Sequence, residues 1–318
     1  MPVGEIGLPG EVRYVKNGPG GRWWRAARSK GELHAGWNEV PSAVLLGGSA
    51  EDARPYVEAL FKPDSAGRGA ANRDLKALAA LIERPSRFVW ITFEERRMWW
   101  CTVTDEVEVV DGGSTKERGH FWLKCDRPWS DRTIDGERQL ILSDLPGSVT
   151  TVAGYRATVC EPAASTDILR VIRNEDDPAV RTAREARIAY CEAIEMLVRR
   201  LQPRDFELLI ELILSRDGWA RISAVGGSGA DIDVEVENRS ANEIAFVQVK
   251  SQADQSTLSD SIRRFSEQRD RYSRMIFAVH SPRGGIASPG LPVHVWGPAE
   301  IADLVVRTGL GDWLEKRV

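Results

Sequence analysis

The spacing of apolar residues divides the chain into regions that predict different secondary structure. Residues 86–160 contain short runs rich in β-branched and aromatic residues, separated by turn sequences such as DGG, IDG and LPG. The runs are RFVWITF, MWWCTVT, EVEVV, HFWLKC, RQLILS and SVTTVAGYRATVC. Short strands at this spacing predict a small barrel or a strongly curved sheet.

Two segments before these strands have helical periodicity, SAEDARPYVEALF and ANRDLKALAALIERP. Tryptophan is concentrated in the same half of the chain: eight of the eleven lie before residue 130, and residues 177–215 contain none. A shift in composition of this kind indicates a domain boundary. We therefore expect an N-terminal Trp-rich α+β module over residues 1–162.

The next region is helical. From Asp176 the chain reads DDPAVRTAREARIAYCEAIEMLVRRLQ, in which a proline suited to a first helical turn precedes apolar residues at three- to four-residue spacing. This pattern predicts a long helix that bridges two domains, and we assign residues 163–202 to a helical linker. A second helix is expected from Pro203 to Gly218, where a glycine can end it.

Beyond Gly218 the periodicity changes to two. The segment ARISAVGGSGADIDVEVENRSANEIAFVQVKS is typical of three strands separated by a glycine-rich turn and a polar turn. A polar helix (SDSIRRFSEQRDRYS), two strands (RMIFAVHS and PVHVWG) and a last helix (PAEIADLVVRTG) follow. This order predicts an α/β domain over residues 203–318, with a mixed sheet flanked by helices.

Composition narrows the classes of function. The chain has 318 residues, is 42% hydrophobic and 28% charged, and contains no apolar run that approaches a membrane-spanning length, so we expect no membrane partner. Nothing near the first residue resembles an export signal, which predicts a cytoplasmic protein. A net charge of −4 argues against coating nucleic acid by bulk electrostatics. The four cysteines are widely spaced, so we expect reduced thiols and no zinc site.

Candidate chemistry lies on two neighbouring strands. Because alternate residues of a strand share a face, Gln248 and Lys250 are expected to point together. On the preceding strand, Asp231 and Asp233 alternate with apolar residues. If the strands pair, a carboxylate, a carboxamide oxygen and an ammonium group converge at one end of the sheet, which predicts a Mg²⁺ site. The alternative is an ordinary half-exposed strand, whose acids and lysine form surface pairs of little energy.

The segment from Pro203 to Leu310 resembles the Mrr-type branch of the PD-(D/E)xK restriction-endonuclease superfamily. Five features carry the resemblance: Phe206-Glu207 opening a helix, Gly218-Trp219 closing it, the glycine-rich GGSGADIDV, the strand FVQVKS, and a helix leading to the strand MIFAVHS. The resemblance implies a restriction-endonuclease-like mixed sheet with flanking helices.

The same resemblance implies a set of site residues. It places metal ligands at Asp233 and Gln248, the catalytic lysine at Lys250 and an assisting glutamate at Glu207. Asp231 stands where relatives often have glycine, so Asp231 is an alternative or a second metal ligand. Gln248 is neutral and binds Mg²⁺ more weakly than a carboxylate, which leaves open a nuclease that has lost its activity.

Arginines indicate two candidate DNA-binding surfaces. The polar helix after FVQVKS carries Arg263 and Arg264, and guanidinium groups on such a helix suit bidentate phosphate contacts. Near the N-terminus, Arg22 and Arg25 interleave with tryptophans, a combination that suits a nucleic-acid groove. The alternatives are a solvated helical face for the first surface and tryptophans that belong to a core for the second.

The region from Gly21 to Cys160 is similar to PUA-like modules of the EVE kind, through GELHAGWNEVP, FVWITF and MWWCTVTD. This similarity implies a small β-barrel that holds a flipped, modified base in an aromatic pocket. The candidate pocket residues are Trp37, Trp99 and Trp100, and membership of a hydrophobic core is the alternative for each of them.

Together the two resemblances imply a modification-dependent restriction endonuclease that hydrolyses phosphodiester bonds of foreign DNA, for example phage DNA, with Mg²⁺. The expected partner is double-stranded, modified DNA. A homodimer is expected because one site of this type cuts one strand. Two alternatives stay open: a repair or recombination nuclease, and a catalytically inactive DNA-binding protein.

Overall fold

The computed structural model describes residues 7–110, 112–222, 233–290 and 292–318. The chain divides into two compact units, Met1–Pro178 and Ala179–Val318. The division falls inside the segment 163–202 that the sequence assigns to a linker. Across the described residues, none of the helices has both the length and the apolar character required to cross a membrane.

The first unit alternates short helices with strands. Its elements are β1 (Glu11–Val15), α1 (Trp24–Lys30), β2 (Glu32–Ala35), α2 (Ser42–Gly47), α3 (Arg54–Glu58), α4 (Ser65–Ile82), β3 (Phe88–Glu94), β4 (Arg97–Val109), β5 (Phe121–Ser130), α5 (Gly147–Thr150), β6 (Val159–Cys160) and α6 (Ser165–Ile172). The two segments with helical periodicity before β3 correspond to α3 and α4.

The six strands form one mixed sheet in the order β2-β5-β4-β3-β1-β6. β1 and β3 are parallel, and the other neighbouring pairs are antiparallel. The register between β4 and β5 shifts near Trp100, Thr102 and Val103, and irregularities of this kind bend a strand and increase its twist. The sheet is therefore half-barrel-like, and the PUA-like barrel is not confirmed.

Two of the expected strands form other structures. In SVTTVAGYRATVC the first residues form α5, Thr151–Gly154 forms a 3-10 helix, and only β6 is extended. Val149 and Val152 are three residues apart and both are buried in the same core, so a helical turn places them on one side. In RQLILS, Leu142–Asp144 forms another 3-10 helix.

Hydrophobic cores cover both faces of this sheet. Trp90 and Trp99 belong to one core, which includes residues of α1, α2, α3 and α4. Ile91 and Trp100 belong to the other core, which includes residues of α5 and α6. Because adjacent residues of a strand point to opposite faces, two covered faces explain why RFVWITF and MWWCTVT are apolar almost throughout.

The second unit follows the order of elements that the sequence predicts, except that a further short helix, which was not expected, follows the predicted last one. Its elements are α7 (Pro178–Val198), α8 (Pro203–Arg216), β7 (Ala220–Arg221), β8 (Asp233–Asn238), β9 (Glu243–Ala253), α9 (Gln255–Ser266), β10 (Arg274–Pro282), β11 (Val293–Trp296), α10 (Pro298–Thr308) and α11 (Gly311–Glu315). The expected α/β class with a mixed sheet is confirmed.

The sheet of the second unit has the order β11-β10-β9-β8-β7. β9, β10 and β11 are parallel, whereas β7, β8 and β9 are antiparallel neighbours. Val234 and Val247 pack in a core with α8 and α10. Phe246 and Phe277 pack in a second core with α9. Strand β9 is therefore central and covered on both faces.

Helix α9 is shorter than the polar segment SDSIRRFSEQRDRYS predicts. Asp254 caps its N-terminus by accepting a hydrogen bond from the Thr257 N–H at 3.0 Å. The helix runs from Gln255 to Ser266, so it begins and ends earlier than the predicted segment, and Tyr272 beyond it is buried in the α9 core. Arg271, expected on this helix, lies beyond its end.

Candidate active site

The register of β8 and β9 brings two of the predicted site positions together. Asp233 is the direct partner of Gln248 in this antiparallel pair, and Lys250 lies two residues further along β9. Directly opposed residues in such a pair have Cα atoms about 4.5–5.5 Å apart. For Asp233 the structure describes the strand position, and Asp231 lies outside the described residues.

The side chain of Gln248 is completely buried. Its Oε1 accepts a hydrogen bond from Arg264 Nη2 at 3.4 Å, which is long for an N–H···O bond. Its Nε2 has no hydrogen-bond partner among the described residues. A buried amide with an unsatisfied donor is unfavourable for folding, so Gln248 is a candidate for a functional residue.

Glu207 and Lys250 are within electrostatic reach of each other. Glu207 lies in the first half of α8, directly after the buried Phe206, and is itself half-buried. Burial raises the pKa of Glu207, the carboxylate of Glu211 raises it further, and the positive charges of Arg221 and Lys250 oppose the rise. The site therefore combines a carboxyl group that holds its proton more strongly than usual with a nearby ammonium group.

Two charged residues of this neighbourhood were missed by the sequence reasoning. Glu211 forms an ion pair with Arg221 of β7. Because residues four apart on a helix share a face, the spacing of Glu207 and Glu211 could have indicated that both carboxylates lie near the same surface. Arg221 could not have been assigned, because its place depends on how β7 pairs with β8.

The donor atoms fit a hard divalent cation in chemical type. Carboxylate oxygens and the amide oxygen of Gln248 are the kinds of ligand that Mg²⁺ binds, usually with several waters. Within the described residues, no group of three or more His, Cys, Asp or Glu side chains is arranged to hold a metal ion. A cation here would rely on Gln248, on the acidic positions near the start of β8, and on water or substrate.

The predicted DNA-binding arginines lie in different environments. Arg264 contacts Gln248, whereas its neighbour Arg263 is exposed and pairs with Asp260 at 2.9 Å. In the first unit Arg22 and Arg25 are both exposed. These positions leave Arg263, Arg22 and Arg25 at the surface, where phosphate contacts are sterically possible.

The three candidate pocket tryptophans do not form one pocket. Trp99 is 3% exposed and packs against Trp24 with ring centroids 5.2 Å apart. Trp100 is 2% exposed and belongs to the core on the opposite face of the sheet. Consecutive strand residues must face opposite ways, so Trp99 and Trp100 cannot line a common site. Trp37 alone is partly exposed, and it lines a cavity.

Comparison with known protein families gives a match to part of the second unit. Residues 198–281 match the family model of the Mrr catalytic domain, which is described as a restriction endonuclease. The match runs from the end of α7 into β10, and so includes α8, β8, β9 and α9. The chain matches no curated protein and no solved structure. The C-terminal domain is therefore restriction-endonuclease-like, which supports a nuclease that hydrolyses DNA.

Proposed function

We propose that the chain is a Mg²⁺-dependent endodeoxyribonuclease that cuts foreign DNA carrying modified bases. One observation carries the proposal: the restriction-endonuclease match covers the strand pair in which Asp233 opposes Gln248 two residues before Lys250. The domain match supports the nuclease and its DNA substrate. The metal, the dependence on modification and a role against phage go beyond this match and are part of the proposal.

Each site residue has a distinct proposed role. Asp233 and the amide oxygen of Gln248 hold the cation, and Asp231 is an alternative or a second ligand. Bound Mg²⁺ supplies charge stabilisation at the scissile phosphate and lowers the pKa of water. Lys250 orients the attacking water and stabilises negative charge on the phosphate. Glu207 retains a proton more readily than an ordinary carboxyl because of its burial, so it can exchange protons with water at the site.

The first test is cleavage of DNA by purified protein with Mg²⁺. The substrates are matched duplexes that are unmodified or carry 5-methylcytosine, 5-hydroxymethylcytosine or glucosylated bases. We expect cleavage of a modified duplex, and we expect Lys250→Ala to reduce its rate by roughly 10²–10³-fold because a group that stabilises the developing charge is lost. Lys316→Ala removes an exposed lysine of the same unit and serves as the control.

The pattern of substrates separates the proposal from a repair nuclease. Cutting confined to one modified duplex supports restriction of modified DNA. Preferential cutting of branched or damaged DNA without modification contradicts it and favours a repair or recombination nuclease. Two sites are needed for a double-strand break, so we also propose that the active form is a homodimer, which sedimentation of the protein with DNA can test.

A second candidate function, DNA binding without catalysis, is favoured by one observation. The guanidinium group of Arg264 lies 3.4 Å from Gln248 Oε1, the atom that would bind the cation. The positive charge of Arg264 repels a second cation at this oxygen, so we expect Arg264 to weaken the binding of Mg²⁺.

Calorimetric titration with Mg²⁺ decides between the two candidates. Under the nuclease proposal the protein without substitutions binds Mg²⁺. Arg264→Leu tightens that binding because the competing positive charge is gone. Arg263→Leu is the matched control, since this neighbouring arginine is exposed and pairs with Asp260. If the protein without substitutions binds DNA but no Mg²⁺, the result favours DNA binding without catalysis.

A further inference from the structure

A cavity of about 440 Å³ lies beside Trp37 in the first unit. Its walls come from separate segments: Trp23 immediately before α1, Trp37 after β2, Asp74 on α4, and the glycine-containing segment 18–20. The volume is within the range of about 300–1,000 Å³ that is common for ligand pockets. Two indoles and several charged side chains, Asp74 among them, give this cavity both an aromatic and a polar wall.

Trp37 is held in a strained conformation. Its φ is 69°, a left-handed value that bulky residues rarely adopt. Its carbonyl oxygen accepts hydrogen bonds from the Val40 N–H at 3.1 Å and from His120 Nδ1 at 2.9 Å. Its ring lies against Phe121, with centroids 6.3 Å apart. Strain that the surroundings maintain in this way is concentrated at ligand and active sites.

Asp74 provides a polar anchor in the same cavity. The carboxyl group of Asp74 and the indole of Trp37 line this cavity together. Burial raises the pKa of Asp74, and the charge of Arg73 and the nearby Trp37 side chain oppose the rise. A carboxylate has about four acceptor positions on its two oxygens, so Asp74 can accept an N–H group of a ligand.

A second cavity of about 770 Å³ adjoins the first, because Asp74, Arg156 and Thr158 line both. The acidic side chains of the second cavity are outnumbered by cationic ones, which are Arg13, Arg73, Lys76, Arg87 and Arg156. Arg13 is paired with Glu161 at 3.3 Å, whereas Arg73, Lys76 and Arg156 are exposed. Exposed cationic groups beside an aromatic cavity suit a phosphate attached to the ligand.

We propose that the two cavities together bind one nucleotide whose base carries an exocyclic amino group. The base stacks on Trp37 and donates its amino N–H to Asp74, while the phosphate lies on Arg156, Arg73 and Lys76. Thymine is disfavoured because it presents the carbonyl oxygen O4 where cytosine presents an amino group. The inference rests on the proposed function in one respect, namely that the nucleotide belongs to DNA and that its base has left the base stack. A free nucleotide offers the same chemistry.

Binding measured in EDTA tests the inference independently of cleavage. The probes are duplexes with a single unpaired cytosine or thymine, and the free nucleotides dCMP and dTMP. We expect the cytosine probes to bind roughly tenfold or more tightly, as for one hydrogen bond to a charged acceptor. Asp74→Asn offers an amide N–H₂ in place of a carboxylate oxygen, so we expect the preference to shift toward thymine. A general loss of folding cannot produce this shift.

A second variant tests the phosphate contacts. Arg156→Ala removes an exposed cation shared by both cavities, so binding of cytosine and thymine probes should weaken by a similar factor. Arg138→Ala is the matched control, because Arg138 is equally an exposed arginine of this unit and lines neither cavity. We expect no change in affinity for this control.

The outcomes separate this inference from the nuclease proposal. Equal affinity for cytosine and thymine duplexes and nucleotides, unchanged by Asp74→Asn, overturns the inference and leaves cleavage by the second unit unaffected. A preference for dCMP without a preference between duplexes supports the site and identifies a free nucleotide as its ligand. Failure to bind any of the four probes overturns the inference, and DNA cleavage with Mg²⁺ then decides the proposed function by itself.

Discussion

Replacing Gln248 with methionine should stabilise the second unit while destroying its activity. Gln248 is completely buried in the described structure, and its Nε2 has no partner among the described residues. Methionine has a similar length and no branching, so Gln248→Met removes the unsatisfied amide with little change in shape. We attribute the retention of this unfavourable group to a requirement of the proposed function.

The expected magnitude follows from three contributions. An unsatisfied buried amide donor costs about 1–3 kcal/mol, which the substitution recovers. The bond from Arg264 to Gln248 Oε1 is lost, but at 3.4 Å it contributes less than the ~1 kcal/mol of a typical hydrogen bond. A volume-conserving change in a core costs up to about 1 kcal/mol here. The net expectation is a rise of about 1 kcal/mol in the free energy of unfolding.

Hydrogen exchange with mass spectrometry, in EDTA, measures this change within the second unit. A rise of about 1 kcal/mol slows exchange of the most protected β9 and β10 amides roughly fivefold. Gln252→Met is the control, because Gln252 is an exposed glutamine on the same strand, where a change within about 0.5 kcal/mol is expected. If Gln248→Met accelerates exchange by more than fivefold, the amide contributes to folding and our explanation for its retention is wrong.

Three further predictions concern stability. In urea denaturation, Gly18→Ala should lower the free energy of unfolding by about 1–3 kcal/mol more than Gly20→Ala. Both glycines have positive φ, but only a Cβ at Gly18 would overlap the indole of Trp23, so equal effects would contradict the overlap. Glu207→Gln should stabilise the protein increasingly as pH rises above about 4, because burial raises the pKa of Glu207 in the folded state and its ionisation opposes folding. Urea denaturation should show a larger stabilisation at pH 8 than at pH 4, and an equal effect at both would refute the raised pKa. Asp254→Ala should destabilise α9 at pH 7 but lose its effect as pH falls toward about 2, since hydrogen bonds from Ser256 and Thr257 lower the pKa of Asp254 to about 2. Hydrogen exchange of α9 amides at several pH values tests this, and an effect that persists at the lowest pH would argue against the cap.

The order of elements in the second unit could be predicted because its signals are local. The end signals of α8 at Pro203 and Gly218, the apolar alternation in β8 and the valine-rich run in β9 each depend on residues within one segment. β8 and β9 are adjacent in sequence and antiparallel, so their pairing needed no long-range information. For this reason the sequence alone could predict that Asp233 lies on the strand next to Gln248 and Lys250.

The first unit was harder to predict because its sheet is built from distant segments. β1 lies between β3 and β6, and β2 pairs with β5. SVTTVAGYRATVC has a high content of β-branched residues, yet burial of Val149 and Val152 against one core favours a helical turn. Local propensity is a weak preference that packing overrides.

The sequence by itself determined which residues are chemically able to act, namely the carboxylates, the carboxamide and the lysine of the second unit. Only the tertiary structure decided that Gln248 is buried against Arg264, because α9 covers the face of β9 that periodicity alone assigns to solvent. The structure also placed Trp37 and Asp74 in the wall of one cavity. Periodicity reports which residues share a face, whereas what covers that face depends on chain segments far away in sequence.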